Sequence, residues 1–170
     1  MGREIRRVPK DWQHPKNEEG NFIALFENNG RFEENDKEWT EGWEKWQQGL
    51  CESCGDDEKW EPIEDKYKHM RYSDYAGGRP SPDDYMPAWK DEERTHLMMY
   101  EDTTEGTPIS PAFETPEELA IWLADNGASS FGSSTATYEQ WLPICKCGWA
   151  PSMVLSSAGL QTGVAATSSL

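Results

Sequence analysis

Apolar and polar positions along this chain follow short stretches of changing period, and the changes mark its elements. Residues 3–8 (Arg-Glu-Ile-Arg-Arg-Val) alternate weakly in the manner of a short strand, which Pro9 ends. Asp11 to Gly20 is polar and reads as loop, whereas Asn21 to Glu27 gathers Phe22, Ile23, Leu25 and Phe26 into a second strand or an extended core segment. Asn28-Asn29-Gly30 supplies a turn, because Asn and Gly tolerate positive φ. From Asn35 the period becomes helical. Trp39, Trp43, Trp46 and Leu50 fall at i, i+4, i+7 and i+11, one face of a helix that Asn35 or Asp36 would cap. Gly42 and Gly49 each weaken that helix by about 1 kcal/mol relative to Ala, so packing has to hold it. The Trp stripe reads as core, with a ligand-binding platform as the alternative.

Residues 51–94 show no sustained period and read as a long acidic loop region pinned by Tyr67, Tyr72, Tyr75 and Tyr85. His96 to Tyr100 reads as a strand and 103–106 as the turn after it. Thr107 to Phe113 is extended, since Pro108 and Pro111 disfavour helix at the residue before them. The two segments predict a hairpin whose prolines sit at an edge or non-bonding position. Thr115-Pro116-Glu117-Glu118 is a capping box with Pro at the first helical position, and Asn126-Gly127 ends the helix it opens. Leu119, Trp122 and Leu123 form its buried stripe. A second box, Thr137-Tyr138-Glu139-Gln140, opens a shorter helix with Tyr138, Trp141 and Leu142 on one face, which Pro143 should end or kink early. Met153 to Leu155 is a further strand, and 161–170 reads as a mobile tail. The pattern predicts an α+β fold: one small mixed domain over 1–160, with short strands, two or three short helices and long acidic loops.

Composition changes this picture in one respect. Hydrophobic residues make up only 35% of the 170, which by itself points toward disorder, but nine Trp, six Tyr and five Phe point to a folded core built on aromatics. Each aromatic buries on the order of 150–250 Å². No apolar run long enough to span a bilayer occurs, and no apolar segment of signal-peptide type follows Arg3, Arg6, Arg7 and Lys10. The expected location is the cytoplasm of the cell that makes the protein, with no membrane partner.

The net charge of −16 is unevenly spread. Residues 1–16 carry five basic and two acidic groups, 17–118 carry ten and 28, and 119–170 carry one and two. The middle of the chain is therefore a polyanion. Such a surface repels nucleic acid, whose binding needs positive groups that displace counterions, and it attracts basic surfaces. Acidity that serves solubility alone is the alternative. The basic stretch at 1–16, with Trp12 available for stacking, is too weakly charged against the rest to predict direct nucleic-acid binding.

Residues 94–127, the opening Gly2-Arg3-Glu4-Ile5-Arg6-Arg7-Val8-Pro9, the His14-Pro15 pair and Pro82-Asp83-Asp84-Tyr85-Met86-Pro87 together resemble an uncharacterised family of small acidic proteins from tailed phages and prophages. The resemblance covers most of the chain apart from residues 28–75 and the C-terminal segment. It implies a phage origin and a host-cytoplasmic setting, and it carries no activity, cofactor or catalytic residue.

One cysteine set has the chemistry of a metal centre. Cys51-Glu52-Ser53-Cys54-Gly55 has the form of a zinc knuckle, in which C-x-x-C spacing lets two thiolates reach one tetrahedral ion. Cys145-Lys146-Cys147-Gly148 offers a second pair at the less common C-x-C spacing. Cys51, Cys54, Cys145 and Cys147 together would close a structural zinc site, and four unligated thiols are the alternative. A thioredoxin-like role for Cys51 and Cys54 is disfavoured because no βαβ pattern surrounds them. His14, His69 and His96 lie in different segments and do not pair at helical spacing. No G-x-S-x-G, P-loop, G-x-G-x-x-G or H-E-x-x-H occurs.

These readings converge on a non-enzymatic phage interaction protein. Its acidic middle would bind and inhibit a host protein with a basic surface, such as a CRISPR or restriction defence component. A structural or assembly accessory of the virion is one alternative. An enzyme acting on a small molecule or nucleotide through a His–carboxylate site is the other, and no catalytic residue is assigned.

Overall fold

Pro9 ends the first strand as the pattern requires. Strand β1 is Arg3–Val8 in the computed structural model of the chain, which describes residues 2–28, 30–53, 56–102, 106–156 and 159–167. β1 pairs antiparallel with β4 (His96–Glu101), Ile5 opposite Met99, and with β5 (Trp149–Ala150), Arg3 opposite Ala150, giving the order β4-β1-β5. Leu97, Met98, Met99 and Tyr100 are all buried, so both faces of β4 are covered. Along its free edge runs the segment 107–113. Leu97 and Phe113 exchange both backbone hydrogen bonds (2.8 and 2.9 Å), and the Ile109 N–H donates to the Met99 carbonyl. The Met99 N–H donates instead to Ser110 Oγ at 2.9 Å. The expected pairing thus forms as isolated bridges, because Pro108 and Pro111 have no N–H to contribute. Of the turn expected at 103–106, residues 103–105 lie outside the described residues.

Both capping boxes open helices. In α3 (Pro116–Asp125) the Glu118 N–H donates to Thr115 Oγ1 and the Thr115 N–H to Glu118 Oε2, each at 3.2 Å. Leu119 and Leu123 are fully buried; Trp122 is half-buried, its ring 6.0 Å from that of Phe113. Helix α4 (Tyr138–Cys147) continues past Pro143, where the sequence predicts an early end or kink, to a left-handed Gly148. The carbonyl deprived of its donor belongs to Glu139, which is exposed, while Trp141, Ile144 and Cys145 lock the turns around Pro143 into the core. These three pack with Leu119, Leu123, Met99 and Val164. Val164 lies in α5 (Gly163–Thr167), after a hairpin of β6 (Met153–Ser156) and β7 (Gly159–Thr162). The stretch 161–167, read from sequence as tail, is therefore strand and helix.

Residues 21–27 make no strand. Leu25 is buried, but Phe22, Ile23 and Phe26 are exposed, and a single-residue bridge joins Phe22 to Lys16.

Helix α1 (Arg31–Gln47) starts at a left-handed Gly30, five or six residues before the expected cap at Asn35 or Asp36. Asn35 and Asp36 are thus interior. Asn35 Nδ2 donates to Tyr85 Oη (2.8 Å), and Asp36 takes both arms of the Arg79 guanidinium (2.6 and 2.9 Å). The buried face of α1 centres on Gly42 and Trp46, covered by Tyr72 and Tyr75. Trp43 follows Gly42 by about 100° around the helix, which turns it outward, 43% exposed. The region 51–94, expected as loop, holds a hairpin of β2 (Leu50–Ser53) and β3 (Asp56–Pro62), a single helical turn α2 (Tyr72–Tyr75) and a 3-10 turn at Pro82–Asp84.

The class is α+β, with five helices and seven short strands among the described residues and every pairing antiparallel. Where the sequence reads as one domain, contacts divide the chain into two units: Met1–Glu27 with Pro87–Leu170, and Asn28–Met86. Among the described residues no helix is long and apolar enough to cross a membrane.

Candidate functional site

A buried polar constellation in the first unit grows out of the segment that follows β1. The Asn17 side chain accepts from the Glu19 and Asn21 N–H groups (3.1 and 2.9 Å), and Gly20 takes a positive φ, so the chain reverses. The reversal brings Phe22 back beside Lys16 and His14, with the His14 and Phe22 rings edge to face at 5.6 Å. His14 is only 6% exposed. Its Nε2 lies 2.6 Å from the Ile23 carbonyl, which can only accept, so Nε2 carries the hydrogen. Nδ1 is then bare and accepts from the Tyr100 hydroxyl at 3.1 Å. Tyr100 Oη in turn accepts the Trp12 indole N–H at 3.3 Å.

Arg6 completes the cluster. Its guanidinium stacks over the Tyr100 ring, 4.4 Å from the centroid, and donates to the Leu25 carbonyl and to Glu4. A desolvated cation–π contact of this kind contributes about 2 kcal/mol. Burial pushes the Tyr100 hydroxyl up to about 12, so it stays protonated. Burial also holds the His14 imidazole below its ordinary value; the bond to the Ile23 carbonyl opposes that, and the Arg6 charge adds to it. The arrangement is a closed set of neutral hydrogen bonds around one paired cation. Both His14 nitrogens are engaged, and the set holds the rings of His14, Tyr100 and Trp12 in place.

Above this floor lies a groove of ≈ 800 Å³. Lys10, Trp12, His14, Lys16 and Phe22 line it from the turned segment, Met98 from β4, residues 108–112 from the paired edge, and Trp122 from α3. The sequence flagged Trp12 and the basic character of 1–16. It did not flag Phe22 as a wall, because Phe22 reads as core, nor Trp122, whose helical stripe also reads as core.

In the second unit the outward side of α1 carries Glu33, Glu34, Glu38, Glu41 and Glu44, all exposed, together with Lys37 and the outward Trp43. Among the described residues no ion pair reaches these five carboxylates. The unit's Lys59, Lys66, Lys68, Arg71 and Arg79 pair with other acids.

The predicted zinc ligands are distributed as follows. Cys51 sits on β2 in the second unit, half-buried; Cys54 lies outside the described residues. Cys145 and Cys147 are in the last turns of α4, and residues two apart on a helix face different ways. Cys145 points into the core, 3% exposed, where burial raises its thiol to about 12. Cys147 is exposed, its Sγ 3.2 Å from the Trp149 carbonyl. For both to hold one ion, the end of α4 would have to unwind. Among the described residues no three His, Cys, Asp or Glu side chains cluster as a metal site. His69 is exposed in the second unit, and His96 bonds its neighbour Thr95.

No protein-family model matches the chain, and neither a curated protein nor a solved structure does.

Proposed function

We propose that this chain is a non-enzymatic interaction protein of phage origin that docks onto a basic surface of a host protein through the outer side of α1. The observation that carries the reading is the row of exposed carboxylates on that helix. Glu34, Glu38 and Glu41 recur once per turn, about 5.4 Å apart along the axis. Unpaired acids so arranged repel one another, which weakens the isolated helix by a few tenths of a kcal/mol per pair. A partner carrying Lys or Arg relieves that repulsion.

Basic grooves of nucleic-acid-binding defence complexes, of CRISPR or restriction type, have the matching chemistry, because carboxylates there take the place of phosphates. Affinity capture with the full chain from lysate of phage-infected host cells tests the reading. One stoichiometric host protein, released by high salt and lost when Glu34→Lys, Glu38→Lys and Glu41→Lys are combined, supports it. Lys matches Glu in helix propensity, so the triple variant keeps α1. Capture of a capsid or tail component in its place identifies an assembly accessory and overturns the proposal.

A further inference from the structure

We propose that the groove beside Trp12 binds a mononucleotide: a planar ring carrying a single phosphate. The inference concerns the first unit alone and stands or falls separately from the docking role of α1. Charge selects the ligand's sign. Although the protein has 32 acidic residues, none among the described residues lines the groove; the charged groups on its described walls are the ammoniums of Lys10 and Lys16. Lys16 Nζ rests 4.6 Å above the centre of the Phe22 ring, beside the apolar wall. Ammoniums on flexible stems bind phosphate as point charges.

Shape selects the rest of the ligand. Trp12, Phe22 and Trp122 give the walls flat aromatic surface, on which every base can stack. Trp12 is already oriented, by its N–H bond to Tyr100 and by edge contact with Trp89 at 4.7 Å, so stacking on it orders nothing new. A volume of ≈ 800 Å³ falls within the range of about 300–1,000 Å³ usual for small-molecule sites. The net charge of −16 decides between a mononucleotide and a strand. Two lysines can meet one phosphate, but a polyanion extending past them would run along an acidic protein.

The test is titration of the full chain with adenosine, guanosine, cytidine and uridine monophosphates, followed by calorimetry and by Trp fluorescence. The matching nucleosides and inorganic phosphate serve as half-ligands. Saturable one-to-one binding of at least one monophosphate below about 1 mM, roughly tenfold tighter than either half-ligand, is the expected result. Combining Lys10→Ala with Lys16→Ala, both exposed and so compatible with folding, should lower that affinity to the level of the nucleoside. The proposal is overturned by absence of saturation, by inorganic phosphate binding as well as the nucleotide, or by unchanged affinity in the double variant. Affinity that climbs with the length of a single-stranded oligonucleotide also overturns it, and marks a strand-binding surface.

Discussion

The hydroxyl of Tyr72 occupies the space that a side chain on Gly42 would fill. Gly42 lies in the middle of α1, where the missing Cβ lowers helix propensity, yet its absence lets Tyr72 insert between Trp39 and Trp46 (ring centroids 5.2 and 5.8 Å). Gly42→Ala should therefore destabilise the protein by about 1–3 kcal/mol through overpacking, although propensity alone predicts a gain of about 1 kcal/mol. Denaturant unfolding measures the sign. Adding Tyr72→Phe, which removes the colliding oxygen, should recover part of the loss. A stabilised Gly42→Ala variant would show that Tyr72 yields freely.

Thr115→Ala should cost about 1 kcal/mol, the usual value of an N-cap. Glu118→Ala should cost less, because the Thr115 N–H it leaves behind is exposed to water. The two losses should add to less than their sum, since each bond helps to orient the other. A double-mutant cycle in urea reads all three quantities.

His14 makes stability depend on pH in a defined direction. Its folded-state value is depressed, so between that value and the unfolded value of about 6.5 the unfolded chain binds more protons. Stability from this group is full above pH 6.5, falls as pH drops below it, and levels off once the folded imidazole is itself protonated. Protonation also turns the acceptor Nδ1 into a donor facing the Tyr100 O–H and sets a second cation beside Arg6. His14→Gln should flatten the stability curve between pH 5 and 7, at some cost in absolute stability. Equal slopes in the two proteins would place the pH dependence elsewhere.

The cysteines should separate by reactivity. Cys147 is exposed and should react with a thiol reagent in the native protein, whereas Cys145 should react only on unfolding, because it is buried and its thiolate is disfavoured. Cys147→Ser should remove one fast equivalent and Cys145→Ser none. Elemental analysis belongs beside this measurement. One zinc per chain with all four thiols protected would establish the Cys51, Cys54, Cys145 and Cys147 centre and reverse the expected order.

What this sequence determined by itself is local. The Thr115 and Thr137 boxes, the strands at 3–8 and 96–100 and the positive-φ glycines at 30 and 127 follow from interactions within a few residues or from an alternation that one strand displays. Tertiary structure decided the rest, by choosing which apolar groups meet. Trp39, Trp43 and Trp46 share one helical stripe in sequence, but Tyr72 and Tyr75 cover Trp46 and leave Trp43 to solvent. Pro143 breaks an isolated helix, but burial of Trp141, Ile144 and Cys145 outweighs the single hydrogen bond it removes. The β2–β3 hairpin hides in sequence because its charged residues mask the period. The groove is the clearest case: Lys10, Trp12 and Phe22 lie a hundred residues or more from Trp122 in the chain. Periodicity reports which face of an element is apolar, and the partner that covers that face is chosen only when the chain closes on itself.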